Sequence, residues 1–246
     1  MTKLLFTLLA FPAVALADTV TLSTGETVEG ELLDLQASFV MLRLPDTEGE
    51  AIRRLGPDRI ESLSFSDPQA SLESQALKRA KFISLLSLED ARLLPRYLSQ
   101  LLDAGDALSA LSYAKLWHPK NRHPSLDPHY RVTLVRSAAA AGLSDEALVH
   151  AQRWLALSPP PVDHPLPWQI QAQHQLEKAD FEAALWTSLT PLAHAQHRSS
   201  SDLATLRAIA SQAYQNLGYA EHSLAYQSDF PRPTQPFHFD PLHPPQ

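Results

Sequence analysis

Eleven histidines in 246 residues are the first candidates for chemistry. His194 and His197 stand three apart, close enough to share a helix face, and His238, Asp240 and His243 cluster near the C-terminus. Neither group has a rigid third ligand beside it in sequence, and HExxH is absent, so solvated imidazole is expected and no metal. The chain has no cysteine, which removes thiol nucleophiles, disulfides and thiolate zinc sites. No GxSxG elbow and no GxxxxGK[ST] phosphate loop occur, and seven glycines leave little material for loops that approach a ligand closely. Asp145 and Glu146 follow a helix start and suit its dipole better than acid–base work. The expectation is a non-enzyme with no catalytic residue, cofactor or metal.

Composition narrows the rest. The length allows one large domain or two small ones, and 44% hydrophobic residues supply an ordinary core. Lys3, an apolar run over residues 4–16 and the small-x-small triplet Ala15-Leu16-Ala17 read as a secretory signal cut after Ala17. A periplasmic or secreted protein is therefore expected. The apolar run is too short to span a bilayer, and no later stretch reaches the roughly 20 apolar residues a span requires. The formal net charge is -7, and residues 18–66 alone carry -6. Such a balance repels nucleic acid and anionic membrane surfaces, so neither is expected as a partner.

Residues 18–66 alternate in short runs. Thr19 to Leu22 has period two and ends at Ser23-Thr24-Gly25-Glu26, a tight-turn signal. Thr27 to Leu35 reads as a second strand with Val28 and Leu32 inward, and Gly30 within it as a bend or bulge. Residues 38–44, 50–55 and 59–65 give three more, with turns at 45–49 and 56–58. Five short strands in this span predict a small β-barrel. The phrases VTLSTGETVEGELLDL and FVMLRL resemble the first half of Sm-like sequences, and the resemblance implies an SH3/Sm-like barrel. Sm-like RNA binders carry Asp and Asn in the loop after the bent strand, where this chain has Leu35-Gln36-Ala37-Ser38. A protein-docking barrel fits better than an RNA binder.

Residues 67–228 read as helices. Asp67-Pro68 marks the change, and Leu72, Ala76, Leu77, Ala80, Ile83 and Leu86 follow a helical period. Ser87-Leu88-Glu89-Asp90 reads as a capped start. The first helix is then expected to pack between the barrel and a set of helical repeats. A repeat is visible when the chain is aligned on Gly105, Gly142, Ala179 and Gly218. Five residues after each comes a small side chain, at Ala110, Ala147, Ala184 and Ser223, and then a leucine, at Leu111, Leu148, Leu185 and Leu224. Small residues permit close helix approach, and the leucine is expected to fill the neighbour's groove. Trp117, Trp154 and Trp186 are expected in the core, where burial contributes about 2–3 kcal/mol each.

This pattern resembles the tetratricopeptide-repeat (TPR) family. Ala147, Leu148, Ala151 and Pro159 fit its second helix and closing proline; Ala110, Leu111 and Ala114 fit, with Pro119 early; Ala184 and Leu185 fit, while Ser188 and Pro191 depart. Trp168 and Tyr214 match aromatic positions of its first helices. The resemblance implies an α+β, mainly α chain: a five-stranded barrel followed by an α-α solenoid of about four TPR-like helix pairs. It also implies a partner-binding groove on the first helices, at Arg92, Ser99, His129, Val132, Arg136, Gln169, Gln173, Gln212 and Gln215. Polar side chains of this kind suit an extended peptide.

Four segments result: signal 1–17, β module 18–66, helical repeats 67–228 and a Pro-rich extended tail 229–246. The function expected is an exported scaffold or adaptor for a protein or peptide. The alternatives are an envelope structural protein that self-associates through the β module, and an enzyme or sugar-binding module with a site between barrel and helices near Asp34 or Glu61.

Overall fold

The computed structural model describes residues 17–35, 39–44, 51–66, 70–117, 122–194 and 200–227. The apolar leader run, the turn at 45–49, Asp67-Pro68, His197, the His238 group and the Pro-rich tail lie outside these residues. The fold is α+β and mainly helical, with an N-terminal antiparallel five-stranded sheet followed by nine α-helices among the described residues.

The strands are β1 (Asp18–Leu22), β2 (Thr27–Leu35), β3 (Val40–Leu44), β4 (Ala51–Leu55) and β5 (Ile60–Ser64), in the order β4-β3-β2-β1-β5. Alternation puts Val20, Leu22, Val28, Leu32, Val40 and Leu42 in the core. The strand β2 changes partner halfway. Its first half pairs with β1, from Asp18 opposite Gly30 to Thr21 opposite Thr27, and its second half with β3. Gly30 is where backbones crowd, since a Cβ there would lie 2.5 Å from the Arg43 carbonyl oxygen. The register shift expected at Gly30 falls instead between Leu32 and Asp34.

The chain divides into two compact units, Met1–Ala141 and Gly142–Gln246. The strand-to-helix change at residues 66–67 therefore lies inside the first unit. That unit holds the sheet, α1 (Leu72–Phe82), α2 (Leu88–Asp103), α3 (Ala107–Trp117) and α4 (Asp127–Ala140). Ser71 caps α1 and Ser87 caps α2, each accepting the backbone N–H three residues on at 3.2 Å. Both α1 and α4 pack on α2 and on α3, and α2 packs on α3.

The sheet is tied to these helices by buried charge. Arg79 donates to Asp90 at 3.0 Å, with both side chains almost fully buried. The other Asp90 oxygen accepts the Phe65 N–H at 3.2 Å and the Ser64 hydroxyl. The Arg79 guanidinium also donates to the Gln75 amide oxygen at 2.7 Å and lies over the Phe65 and Tyr97 rings. A second anchor is Asp18, which is buried. It pairs with Lys78 and accepts the Leu32 N–H at 3.0 Å. Thus Asp90, read from sequence as part of a cap, spends its carboxylate on a strand and another helix.

The second unit holds α5 (Ser144–Leu155), α6 (Pro165–Glu177), α7 (Phe181–Ala193), α8 (Ser200–Asn216) and α9 (Ala220–Gln227). Each helix packs on the next, and α6 packs directly on α8. The repeat alignment corresponds to a repeated local geometry. Gly105, Gly142, Ala179 and Gly218 all have positive φ, at 85°, 74°, 58° and 88°. At three of these turns the following N–H reaches back five residues, Asp106 to Leu101, Asp180 to Gln175 and Tyr219 to Tyr214, each at 2.9 Å. The small residue five places on is buried every time: Ala110, Ala147, Ala184 and Ser223.

Two expectations need correction. Trp186 is 58% exposed, whereas Trp117 and Trp154 are buried. The buried tryptophans stand seven places after Ala110 and Ala147; the matching position in the third repeat is Pro191, which is buried. Trp186, two places after Ala184, falls on the opposite side of the helix. Leu224 is 61% exposed, because α9 is the last described helix and no described element covers that face. Ser188, a departure from the family pattern, fills its position by donating its hydroxyl to the Ala184 carbonyl at 2.7 Å.

Candidate functional site

The site is built from α2 and the start of α4. On α2, Arg92 and Arg96 are one turn apart and share a face. Helix α2 faces this way because its opposite stripe, Ala91, Leu94, Leu98 and Leu101, is buried. The proline at Pro95 sits inside the helix and has no N–H, so the Ala91 carbonyl lacks its usual helical donor. A 3-10 turn at Pro124–Leu126 leads into α4, with Leu126 buried and Ser125 exposed. His129 follows on the first turn of α4.

These residues enclose an open depression of about 400 Å³ lined by Arg92, Pro95, Arg96, Ser125, Leu126 and His129. Its floor is apolar at Leu126 and Pro95, and its rim holds two guanidinium groups and an imidazole. Arg92 and Arg96 make no ion pair among the described residues. The acid nearest in sequence on α4, Asp127, is held by Arg131 at 2.7 Å. Both arginines are exposed, and no acceptor among the described residues holds either guanidinium.

Of the nine residues expected in a groove, Arg92 and His129 meet in this depression. Ser99 on α2 and Val132 on α4 are half-buried, and Arg136 on α4 is exposed. The other four lie in the second unit. Gln173 on α6 is exposed and donates to Glu177 at 3.0 Å, Gln169 is half-buried, and Gln212 and Gln215 on α8 are exposed. Arg96, Pro95, Ser125 and Leu126 were missed. The spacing of four between Arg92 and Arg96 was the available signal, whereas the approach of the 3-10 turn to α2 had none.

Elsewhere the ionisable groups are engaged or solvated. Asp34 is half-buried; Glu61 is exposed, with its carbonyl accepting from Arg122. His194 is exposed, and its ring hydrogen-bonds the Thr190 carbonyl at 2.9 Å. Among the described residues no three His, Asp or Glu side chains are grouped to hold a metal ion. Burial and the neighbouring Tyr226 push the Tyr214 phenol up to about 12, and burial also raises Tyr226. Tyr113 is raised by burial and by its hydrogen bond to Glu73. None of the three lines the depression. No helix of the described residues is long and apolar enough to cross a membrane.

No family model matches the chain, and comparison with curated proteins finds no significant relative.

Proposed function

We propose that this chain is an exported, non-catalytic scaffold or adaptor that holds a protein or peptide partner on the faces of its first helices. On this reading α2 and α4 in the first unit, and α6 and α8 in the second, are first helices of TPR-like pairs, with α3, α7 and α9 the second helices packed on α2, α6 and α8. The reading is supported by the left-handed turns at the four aligned positions and by the packing of α2 on α4 and of α6 on α8. The sheet is read as an SH3/Sm-like barrel that serves as a docking element; the exchange of partners along β2 supports this. Residues 1–17 are read as the leader, which gives a periplasmic or secreted address.

One observation carries the proposal. Arg92 and His129, assigned to a groove from separate repeats by the TPR resemblance and the spacing along its first helices, line one depression. The test is affinity capture after crosslinking in the native envelope, comparing the wild type with a chain carrying Arg136→Ala and Gln173→Ala, one change in each unit. Loss of a specifically captured protein supports the reading. An unchanged yield in the double variant counts against the first-helix faces as the binding surface.

A further inference from the structure

The chemistry of the depression restricts its occupant more than the fold does. Two guanidinium groups with no ion pair among the described residues line the depression with an imidazole, on a chain whose formal charge is -7. A guanidinium fork matches a carboxylate in two parallel hydrogen bonds, and such charge-assisted bonds are the stronger kind. The floor at Pro95 and Leu126 offers apolar contact. Donors for carboxylates beside an apolar floor together fit a polypeptide segment in which acidic and apolar side chains alternate. A polyanion such as nucleic acid fits poorly, because the strongly acidic 18–66 segment repels it and the lining includes no aromatic platform besides His129.

We infer that the depression between α2 and the 3-10 turn before α4 receives an acidic peptide segment, with Arg92 and Arg96 each taking a carboxylate and Leu126 and Pro95 receiving an apolar neighbour. This deepens the partner-binding reading and rests on it.

The experiment uses the full chain and a capped, fluorescein-labelled peptide of about twelve residues in which Asp or Glu alternates with Leu. A second peptide replaces the acids with Asn and Gln, and a single-stranded oligonucleotide of similar charge is the third probe. Anisotropy should show the acidic peptide binding at least about tenfold more tightly than its amide counterpart. Arg92→Ala with Arg96→Ala should remove that preference, as should Arg96→Glu alone, while Arg153→Ala on the exposed face of α5 leaves it intact. Far-UV circular dichroism checks that each variant is folded, and the single-residue change serves if the double variant is not. Equal binding of both peptides overturns the acidic assignment, although the partner-binding reading can survive it through the neutral peptide. Unchanged preference in the arginine variants overturns it as well. Tighter binding of the oligonucleotide, lost in the same variants, replaces the peptide with a nucleic acid and overturns it too.

Discussion

The two units bury different things. In the first, the Arg79–Asp90 pair joins α1 to α2, whose Asp90 also holds the end of β5, and Asp18–Lys78 joins β1 to α1. The hydroxyls of Thr133 and Ser137 are buried in that unit too. In the second, the buried polar residues among those described are the hydroxyls Ser188, Ser211 and Ser223, set among alanines and leucines. A buried carboxylate is satisfied in very few arrangements, so the first unit fixes one alignment of sheet on helix. A buried hydroxyl can return to its own helix, as Ser188 does, or pair with another, as Ser211 and Ser223 do at 2.9 Å. Alignment in the second unit rests on close approach at small side chains, where shape rather than charge selects the neighbour.

The sharpest way to break the contrast is to remove one charge. Asp90→Ala leaves Arg79 buried without its partner and should cost about 3–5 kcal/mol. An Arg79→Met and Asp90→Leu double variant should cost much less, and urea unfolding of both measures the difference. Trp117→Ala should cost a similar amount, about 3–5 kcal/mol, because the ring is fully buried against Tyr130 at 5.1 Å. Trp186→Ala should stay within about 0.5 kcal/mol. A large effect at Trp186 would mean that its face is covered in solution.

Backbone changes at the repeated turns should be smaller. Gly218→Ala imposes a side chain on left-handed backbone and should destabilise by about 1–2 kcal/mol, although nothing lies near the added methyl. Ala179→Gly reverses that strain at the third turn and should stabilise by roughly 0.5–1 kcal/mol, read as a higher urea midpoint. The smallest effect concerns alkali. Because the Tyr214 phenol is raised to about 12, the fold prefers its neutral form. Its contribution is fully present below pH 10, where the unfolded phenol is neutral too, and falls as pH rises from 10 towards 12. Tyr214→Phe should therefore flatten the loss of stability over that window, followed by urea titration at each pH.

Much of the fold could be read from local pattern. All five strands fall within about two residues of their expected ends, because alternation and turn residues are local signals. The four turns and their buried small residues were legible for the same reason. The Asp90 pairing was not, since an acid three places after a serine reads as a cap, and nothing in sequence says that Arg79 will turn toward it. Trp186 misled because residue type outweighed phase: its offset of two from Ala184 already put it on the far side. At the site, the TPR resemblance and the spacing along its first helices singled out Arg92 and His129, while the floor at Leu126 depended on where the 3-10 turn before α4 meets α2.

One backbone contact in the first unit closes a margin of the sheet. The Leu63 N–H donates to the Leu85 carbonyl at 2.7 Å, and the Leu63 carbonyl accepts the Ser87 N–H at 3.0 Å. The connector before α2 thus occupies the free margin of β5 at its centre. Strand-by-strand polymerisation needs two open margins; at the other, β4, no strand pairs among the described residues and Arg53 and Arg54 are exposed. Sheet-to-sheet joining of copies should therefore stop at a pair rather than run on into a fibre.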